Sequence, residues 1–308
     1  MRTNEAGGYR TRHIISIGDF DRDEIDKLLN HARQFDQKKY DKNALYGKIL
    51  ATLFFEPSTR TRMSFESAMA RLGGTSLSVG SIEACSIAKG ETLADTVRVV
   101  SGYADAIVIR HPKEGAARLA AEFATVPVIN AGDGAGQHPS QTLLDLYTIR
   151  QSMAIDKIDV ALIGDLRYGR TAHSLASALS LYNARLHTLS PKGLELPVTL
   201  AAELCDKGMD IVEHDNINEI IRDVDVLYVT RIQRERFPDS ASYFNVASNY
   251  RITPELLCGA RSHLIILHPL PRIDEIDPRV DELPYARYFE QSRNGVPVRM
   301  AMLMEVMQ

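Results

Sequence analysis

Hydrophobic residues along this chain follow two alternating patterns. One is a short, continuous apolar run of strand length, and the other is an apolar repeat at helical spacing, as after the capping signal at Asp21 and Glu24. The predicted strands are 49–55, 107–109, 126–129, 160–163, 226–229 and 264–267, and the predicted helices are 21–32, the stretch up to Gly73, 116–123, 140–153, 170–182 and 296–307. Short buried strands that alternate with helices predict an α/β fold with parallel sheets.

The length of the chain and a restart of this alternation predict two domains. A chain of 308 residues, 44% of them apolar, exceeds the usual size of one domain. The alternation restarts after about Met153, so we expect two doubly wound parallel-sheet domains joined by helices, with the active site in the cleft between them. The expected ranges are 1–139 and 154–290, with a C-terminal helix at 291–308 that packs back on the first domain.

Charge and cysteine content narrow the possible classes of function. The 36 basic and 40 acidic residues give a net charge of -4, which argues against nucleic acid or an anionic membrane as a partner. The apolar runs are far shorter than the roughly 20 residues that cross a bilayer, and residues 1–12 are predicted to be a tail rather than a secretion signal. Three dispersed cysteines fit neither a disulfide framework nor a zinc site, which favours the cytoplasm.

The segment 55–62 carries the strongest chemical signal. It lies between a predicted strand and a predicted helix, where a helix N-terminus presents unpaired N–H groups and a partial positive charge to an oxyanion. Side chains in the same segment add further donors, and they are Ser58, Thr59, Arg60, Thr61 and Arg62. A serine cap followed by solvated arginines is the alternative interpretation. Three hydroxyl groups interleaved with two arginines favour a phosphate site.

Other polar residues follow the later predicted strands. Arg110, His138 and Gln141 would converge on the same pocket, where they could polarise a carbonyl group and orient an amide, although His138 alone would be interpreted as a helix cap. The loop 164–171 nearly matches an ATP-binding loop, but arginine replaces its lysine, and two arginines suit a carboxylate better. Further candidate ligand groups follow the last two strands, and they are Arg231, Gln233 and the loop 268–272.

Together these motifs resemble the aspartate and ornithine carbamoyltransferase family, from about His13 to Met304. The segment 55–62 is similar to the family's carbamoyl phosphate signature. Ornithine enzymes typically have a Ser-Met-Gly motif in the second domain and a cysteine in the loop that matches 268–272. This chain instead has Arg231 and Gln233 in the second domain and no cysteine in that loop, which is similar to the aspartate branch.

The resemblance implies transfer of a carbamoyl group from carbamoyl phosphate to the amine of L-aspartate, a step of pyrimidine biosynthesis, without a metal or other cofactor. It implies that the phosphate is held by Ser58, Thr59, Arg60, Thr61 and Arg110. The carbamoyl oxygen would be polarised by Thr61, Arg110 and His138, and the carbamoyl amide would be held by Gln141 and the Leu270 carbonyl. Aspartate would be bound by Lys89, Arg170, Arg231 and Gln233.

The resemblance also implies a homotrimer with shared active sites, in which the loop of Lys89 enters the neighbouring subunit, and separate regulatory chains are possible.

The chain departs from the family at two positions. Cys85, with Ser86 beside it, stands where serine is common in the family, and a thiol is a weak hydrogen-bond donor. Arg167 replaces a frequent lysine and could share or disturb the work of Arg170. Two alternatives are a carbamoyltransferase for ornithine or a related amine, and a non-catalytic scaffold that binds carbamoyl phosphate.

Overall fold

The computed structural model describes residues 12–79, 90–232 and 248–308. Its strands are β1 (Ile49–Phe54), β2 (Thr75–Ser78), β3 (Ala106–His111), β4 (Val128–Asp133), β5 (Asp159–Ile163), β6 (Arg185–Leu189), β7 (Ile211–Glu213), β8 (Val226–Val229) and β9 (Ile265–Leu267). Its helices are α1 (Arg22–Asp36), α2 (Thr59–Arg71), α3 (Leu93–Ser101), α4 (Ala116–Phe123), α5 (Pro139–Ser152), α6 (Arg170–Leu179), α7 (Val198–Asp206) and α8 (Tyr288–Met307). Within these ranges, no helix has the length and apolar character that a bilayer crossing requires.

The strands form two separate parallel sheets. The first sheet has the order β2-β1-β3-β4, and the second has the order β7-β6-β5-β8-β9. In each sheet the chain first adds strands on one side and then on the other, so the order reverses between β1 and β3 and between β5 and β8. The predicted class, two doubly wound parallel sheets with helices, is therefore confirmed.

Apolar side chains cover both faces of each sheet, which explains why the strands are continuous apolar runs. Successive side chains of a strand point to opposite faces. Leu50 of β1 and Val160 of β5 face one central core that contains residues from both sheets. Their neighbours Ala51 and Ala161 face two outer cores, one for each sheet. The two halves of the molecule thus share a single central interior.

Helices α5 and α8 lie along this shared interior. Every residue of α5 from 139 to 149 is buried, so the helix is enclosed on all sides rather than on one apolar face. It contacts α1, α6 and α8, and α8 in turn contacts α1 and α2. The long connection between the two sheets is therefore a central element of the core.

Helix α8 begins at Tyr288, so the start near 296 that the apolar pattern predicts is wrong, whereas the C-terminal helix expected at 291–308 begins close to the observed start. The first turns contain Gln291 and Asn294, which look like surface residues in the sequence. Both are fully buried because their amide groups form hydrogen bonds with side chains of α5. Contacts between distant segments, rather than local apolar spacing, thus stabilise the start of this helix.

Other predicted elements are mostly confirmed, with shifted ends. The capping signal is confirmed, because the Asp21 side chain accepts from the Glu24 N–H and the Glu24 side chain accepts from the Asp21 N–H. The strand predicted at 126–129 is instead Val128–Asp133, since pairing with β3 continues as far as Asp133. The predictions missed β2, α3, β6, α7 and β7, which are short or carry many polar residues.

Candidate active site

A cleft of about 730 Å³ opens between the two sheets. Its walls are loops that follow β1, β3, β4, β5, β8 and β9, at the carboxyl ends of these parallel strands. It therefore lies beside both points of strand-order reversal, where doubly wound sheets bind ligands. The predicted site residues that line it are Ser58, Thr59, Arg60, Thr61, Arg110, His138, Gln141, Arg170, Arg231 and Leu270.

Three helices of the described ranges begin at this cleft. Helix α2 follows Ser58, α5 follows His138 and α6 follows Gly169, and all three of these residues line the cleft. None of the three caps its helix with a side-chain hydrogen bond. Ser58 therefore occupies the N-cap position of α2 without the capping hydrogen bond that the alternative interpretation requires, which leaves the first N–H groups of α2 available to an oxyanion.

Glu56, which received no role from the sequence, joins the two walls of the cleft. Its Oε1 accepts from Arg110 Nη2 at 2.6 Å and from Arg170 Nη2 at 3.0 Å. Burial pushes the pKa of Glu56 upward, but hydrogen bonds and charges from Arg170 and Arg110 outweigh burial and hold the pKa below its usual value. An ionised carboxylate thus holds one arginine from each half of the molecule. The signal in the sequence was an acidic residue at the end of a predicted strand, directly before the arginine-rich segment.

The backbone beside β4 sets the position of the two arginines. Arg110 Nη1 donates to the Ala131 carbonyl at 3.1 Å, and Arg170 Nη1 donates to the Gly134 carbonyl at 2.7 Å. Gly132 lies between these carbonyls with a φ of +113°, and an added Cβ would lie 3.1 Å from Arg110 Nη1 and 3.2 Å from Arg170 Cζ. The absence of a side chain at Gly132 therefore allows both guanidinium groups to approach the same backbone segment.

His138 is a buried and uncharged group in the wall of the cleft. Burial lowers its pKa well below the usual value, and the positive charges of Arg110, Arg170 and Arg299 lower it further. Its ring Nδ1 lies 3.4 Å from Ser140 Oγ. A neutral imidazole that is surrounded by arginines suits hydrogen bonding to a carbonyl oxygen rather than proton donation from an imidazolium.

We expect His138 to remain neutral as the pH falls through 6.5, because burial and the neighbouring arginines disfavour its protonated form. Nitrogen-15 NMR of histidine-labelled protein between about pH 6 and pH 8 measures this. The ring signals that disappear in a His138→Asn variant should show no titration over that range. A midpoint near 6.5 for those signals would contradict the assignment of a neutral ring.

Arg299 of α8 is a second lining residue without a predicted role. It is buried, it stacks over the Phe65 ring at 5.0 Å, and it donates to Ser140 Oγ at 3.4 Å. Burial lowers the pKa of Arg299 to about 9, although Asp145 acts in the opposite direction. The guanidinium adds positive charge behind His138. A lone arginine in the apolar stretch 296–307 was the signal in the sequence.

Some residues named from the sequence lie elsewhere. Arg62 forms an ion pair with Glu66 at 3.5 Å and does not line the cleft. Arg167 donates to the Gly193 carbonyl at 3.3 Å and is likewise absent from the lining, so Arg170 alone of the two reaches the cleft. The residues that lie outside the described part of the chain are Lys89, Gln233, Cys85 and Ser86.

The sequence and the fold match proteins of known family. Residues 12–151 match the model of the aspartate/ornithine carbamoyltransferase carbamoyl-P binding domain, and residues 156–306 match the Asp/Orn binding domain of the same family. The chain is 73% identical over 296 residues to the aspartate carbamoyltransferase catalytic subunit of Methanoculleus marisnigri, which covers 96% of this chain and 99% of the relative.

Two solved structures are similar along nearly the whole chain. The catalytic subunit of M. jannaschii aspartate transcarbamoylase has 53% identity and a TM-score of 0.90, and the match covers 96% of this chain and 97% of the other. Aspartate transcarbamoylase from Trypanosoma cruzi in complex with N-(phosphonacetyl)-L-aspartic acid has 40% identity and a TM-score of 0.91, with 97% of each chain covered.

Proposed function

The chain belongs to the aspartate/ornithine carbamoyltransferase family, and from this premise we propose how its residues transfer the carbamoyl group of carbamoyl phosphate to L-aspartate. The products are N-carbamoyl-L-aspartate, an intermediate of pyrimidine biosynthesis, and phosphate. One observation carries the proposal. Arg170 and Arg231 from the second sheet face Ser58 to Thr61 and Arg110 from the first sheet across a single cleft.

The phosphate group is bound at the start of α2. The N–H groups of the first helical turn, the hydroxyls of Ser58, Thr59 and Thr61, and the charges of Arg60 and Arg110 supply donors. Burial lowers the pKa of Arg60, but an arginine stays protonated at physiological pH. A doubly charged phosphate thus meets both a helix N-terminus and two guanidinium groups.

Aspartate is bound by arginines of the second sheet, because a planar guanidinium group pairs well with a carboxylate. Arg170 and Arg231 line the cleft, and Gln233 and Lys89 complete the proposed set from outside the described residues. Glu56 holds Arg170 and Arg110 in the free protein and competes with incoming anions for both. Entry of the two substrates is therefore coupled to rearrangement of this ion-pair cluster.

The aspartate amine attacks the carbamoyl carbon, a C–N bond forms, and the bond from that carbon to the phosphate oxygen breaks. Charge on the carbamoyl oxygen in the tetrahedral state is stabilised by Thr61, Arg110 and the neutral His138. Gln141 and the Leu270 carbonyl hold the carbamoyl amide. The leaving phosphate accepts the amine proton directly or through a neighbouring group. Orientation of the two substrates supplies much of the rate enhancement.

The charges of the substrates explain why the cleft contains several arginines. Two like charges about 5 Å apart at an effective dielectric near 20 repel each other by on the order of 3 kcal/mol. Each charge-assisted hydrogen bond to a substrate contributes about 1.5 to 3 kcal/mol of stabilisation. One arginine is therefore insufficient to bring a phosphate and a dicarboxylate together, whereas the clustered arginines of both sheets suffice.

The proposed organisation assigns 1–139 to carbamoyl phosphate binding and 154–290 to aspartate binding, with 291–308 packing on the first domain. The contacts of α8 with α1 and α2 support this division. We further propose a cytoplasmic homotrimer in which Lys89 serves the neighbouring subunit's site. The name of the M. marisnigri relative, a catalytic subunit, supports the possibility of additional regulatory chains.

An assay that offers aspartate and ornithine side by side with carbamoyl phosphate tests the function. We expect carbamoyl aspartate as the product, because Arg170 and Arg231 recognise a carboxylate and would repel the cationic amine of ornithine. Carbamoylation of ornithine alone would favour the related-amine alternative. Binding of carbamoyl phosphate without turnover of either amine would favour the scaffold alternative.

Gly132→Ala is expected to lower kcat/KM by about 10- to 100-fold, since the new methyl group displaces Arg110 and Arg170 from their backbone contacts. Steady-state kinetics with both substrates measures the effect. Gly47→Ala is the matched control, because Gly47 also has a positive φ, +80°, but has nothing within 4 Å of an added Cβ. Both glycines have a positive φ that disfavours alanine, so backbone strain is present in both variants, and an equal loss of activity in both would contradict the prediction.

A further inference from the structure

A buried carboxylate lies behind the wall of the cleft, beyond the residues that line it. Asp145 of α5 is fully buried, and three side chains from three different elements donate to it. Gln141 Nε2 lies 2.8 Å and Gln291 Nε2 lies 2.6 Å from Asp145 Oδ1, while the Tyr228 hydroxyl lies 2.9 Å from Oδ2. Asp145 thus connects α5, α8 and β8 at one point.

The same network continues to the loop after β9. The Oε1 of Gln291 accepts from the His268 backbone N–H at 2.8 Å, and the Nδ1 of His268 accepts from the Leu270 N–H at 2.8 Å. The other ring nitrogen of His268, Nε2, lies 2.7 Å from Glu275 Oε1. Because Nδ1 accepts, Nε2 carries the proton and donates it to the carboxylate. An unbroken chain of hydrogen bonds therefore runs from Gln141 through Asp145 to Leu270.

A carboxylate determines which way a neighbouring amide points. An ionised carboxylate can only accept hydrogen bonds, so Gln141 and Gln291 must each present the NH₂ end of the amide to Asp145. The carbonyl end of Gln141 is then left for the cleft, which Gln141 lines. The carbonyl end of Gln291 is left for the His268 N–H. Burial raises the pKa of Asp145 to about 7, against the effect of its donors, so the carboxylate is ionised in mildly alkaline solution.

We propose that Asp145 is a positioning residue that makes the cleft select an acyl phosphate with an amide group over one with a methyl group. This inference rests on the proposed function, which assigns Gln141 and the Leu270 carbonyl to the carbamoyl amide. Asp145 orients the Gln141 amide directly. It positions the Leu270 carbonyl indirectly, through Gln291 and His268. A rotated Gln141 would present its own NH₂ group to the carbamoyl NH₂ group and lose the hydrogen bond.

Acetyl phosphate is the probe that isolates this effect, because it differs from carbamoyl phosphate by a methyl group in place of NH₂. Both carry the same phosphate, so loss of the phosphate site weakens both equally. The carbonyl oxygens of Gln141 and Leu270, when held in place, accept hydrogen bonds from the carbamoyl NH₂ group but gain nothing from the methyl group of acetyl phosphate. The two dissociation constants are measured by calorimetry at about pH 8.5 without aspartate. Their ratio reports on selection of the amide, because a disturbed phosphate site would weaken the binding of both ligands.

Asp145→Leu removes every acceptor at nearly constant size and is expected to reduce the preference for carbamoyl phosphate by about 10- to 100-fold. Asp145→Asn keeps one carbonyl oxygen for the two glutamines and can donate to the Tyr228 hydroxyl, so most of the preference should return. Tyr228→Phe is the control, since it removes the bonds of the Tyr228 hydroxyl to Asp145 Oδ2 and to the Thr171 side chain but leaves both glutamine bonds to Oδ1, so the ratio should stay unchanged. Thermal unfolding establishes that each variant is folded.

If Asp145→Leu does not fold, Gln291→Met takes its place. It leaves the Gln141 bond to Asp145 intact but breaks the link to His268, and we expect about a three- to tenfold loss of preference. A folded Asp145→Leu or Gln291→Met protein with the wild-type ratio would overturn the inference, as would an equal loss in Tyr228→Phe. A wild-type protein that binds both acyl phosphates equally would also overturn the inference, whereas failure of the wild-type protein to form carbamoyl aspartate would contradict the proposed function.

Discussion

Replacement of Arg110 by methionine is expected to lower kcat/KM for carbamoyl aspartate formation by about 10³-fold. The Arg110 side chain is 11% exposed, it lines the cleft, and it is assigned both to the phosphate and to the carbamoyl oxygen. Methionine keeps much of the length and apolar volume but removes every donor and the charge. Initial rates at varied carbamoyl phosphate concentration measure the loss.

Arg118→Met provides the control for this experiment. Arg118 lies on α4, is exposed and does not line the cleft, so its replacement removes the same charge from the protein without touching the site. Its kcat/KM should stay within about twofold of wild type, because surface substitutions change stability little. Near-normal turnover in Arg110→Met would remove Arg110 from the mechanism.

Equal amounts of Lys89→Ala and Arg60→Ala chains, dissociated and reassembled together, are expected to recover about a quarter of the wild-type activity. In a closed ring of three, a site is complete when its own chain supplies Arg60 and its neighbour supplies Lys89. Each condition holds for about half of the chains after random mixing, so about one site in four is intact. Each variant reassembled alone should be nearly inactive.

A second mixture serves as the control for shared sites. Arg60 and Arg110 line the same cleft of one chain, so Arg60→Ala and Arg110→Met chains cannot complement each other whatever their arrangement. Activity in this mixture would show that recovery reflects something other than shared sites. Absence of activity in both mixtures, with trimers present by light scattering, would contradict the proposed role of Lys89.

The sequence predicts those parts of the site that depend on local order. Ser58 to Thr61 and His138 follow a strand and precede or begin a helix, and Arg110 lies near the carboxyl end of β3, so parallel strands bring these positions to one edge. Gln141 and Asp145 are one helical turn apart, so even their contact is visible in the sequence. Periodicity and topology together therefore place these side chains near one another without any knowledge of the packing.

The remaining features depend on contacts between distant segments. Gln291 is 146 positions away from Asp145, and Arg170 is 114 positions away from Glu56, and no local pattern pairs residues over such distances. The polar side chain of Gln291 lies outside the apolar pattern, which is why that pattern alone placed the start of α8 near 296. Buried polar groups that are satisfied by long-range partners are thus the features that the sequence pattern conceals.

The shared interior around α5 limits how the two halves can be separated. A chain cut near Met153 would leave each half with a face of Leu, Val and Ala side chains exposed to water, and such faces promote aggregation. Recombination with a related sequence meets the same constraint, since a foreign half would have to bring side chains that fit the grooves of α5 and α8. Side chains on these two helices are therefore expected to tolerate substitution only together with their packing partners on both sheets.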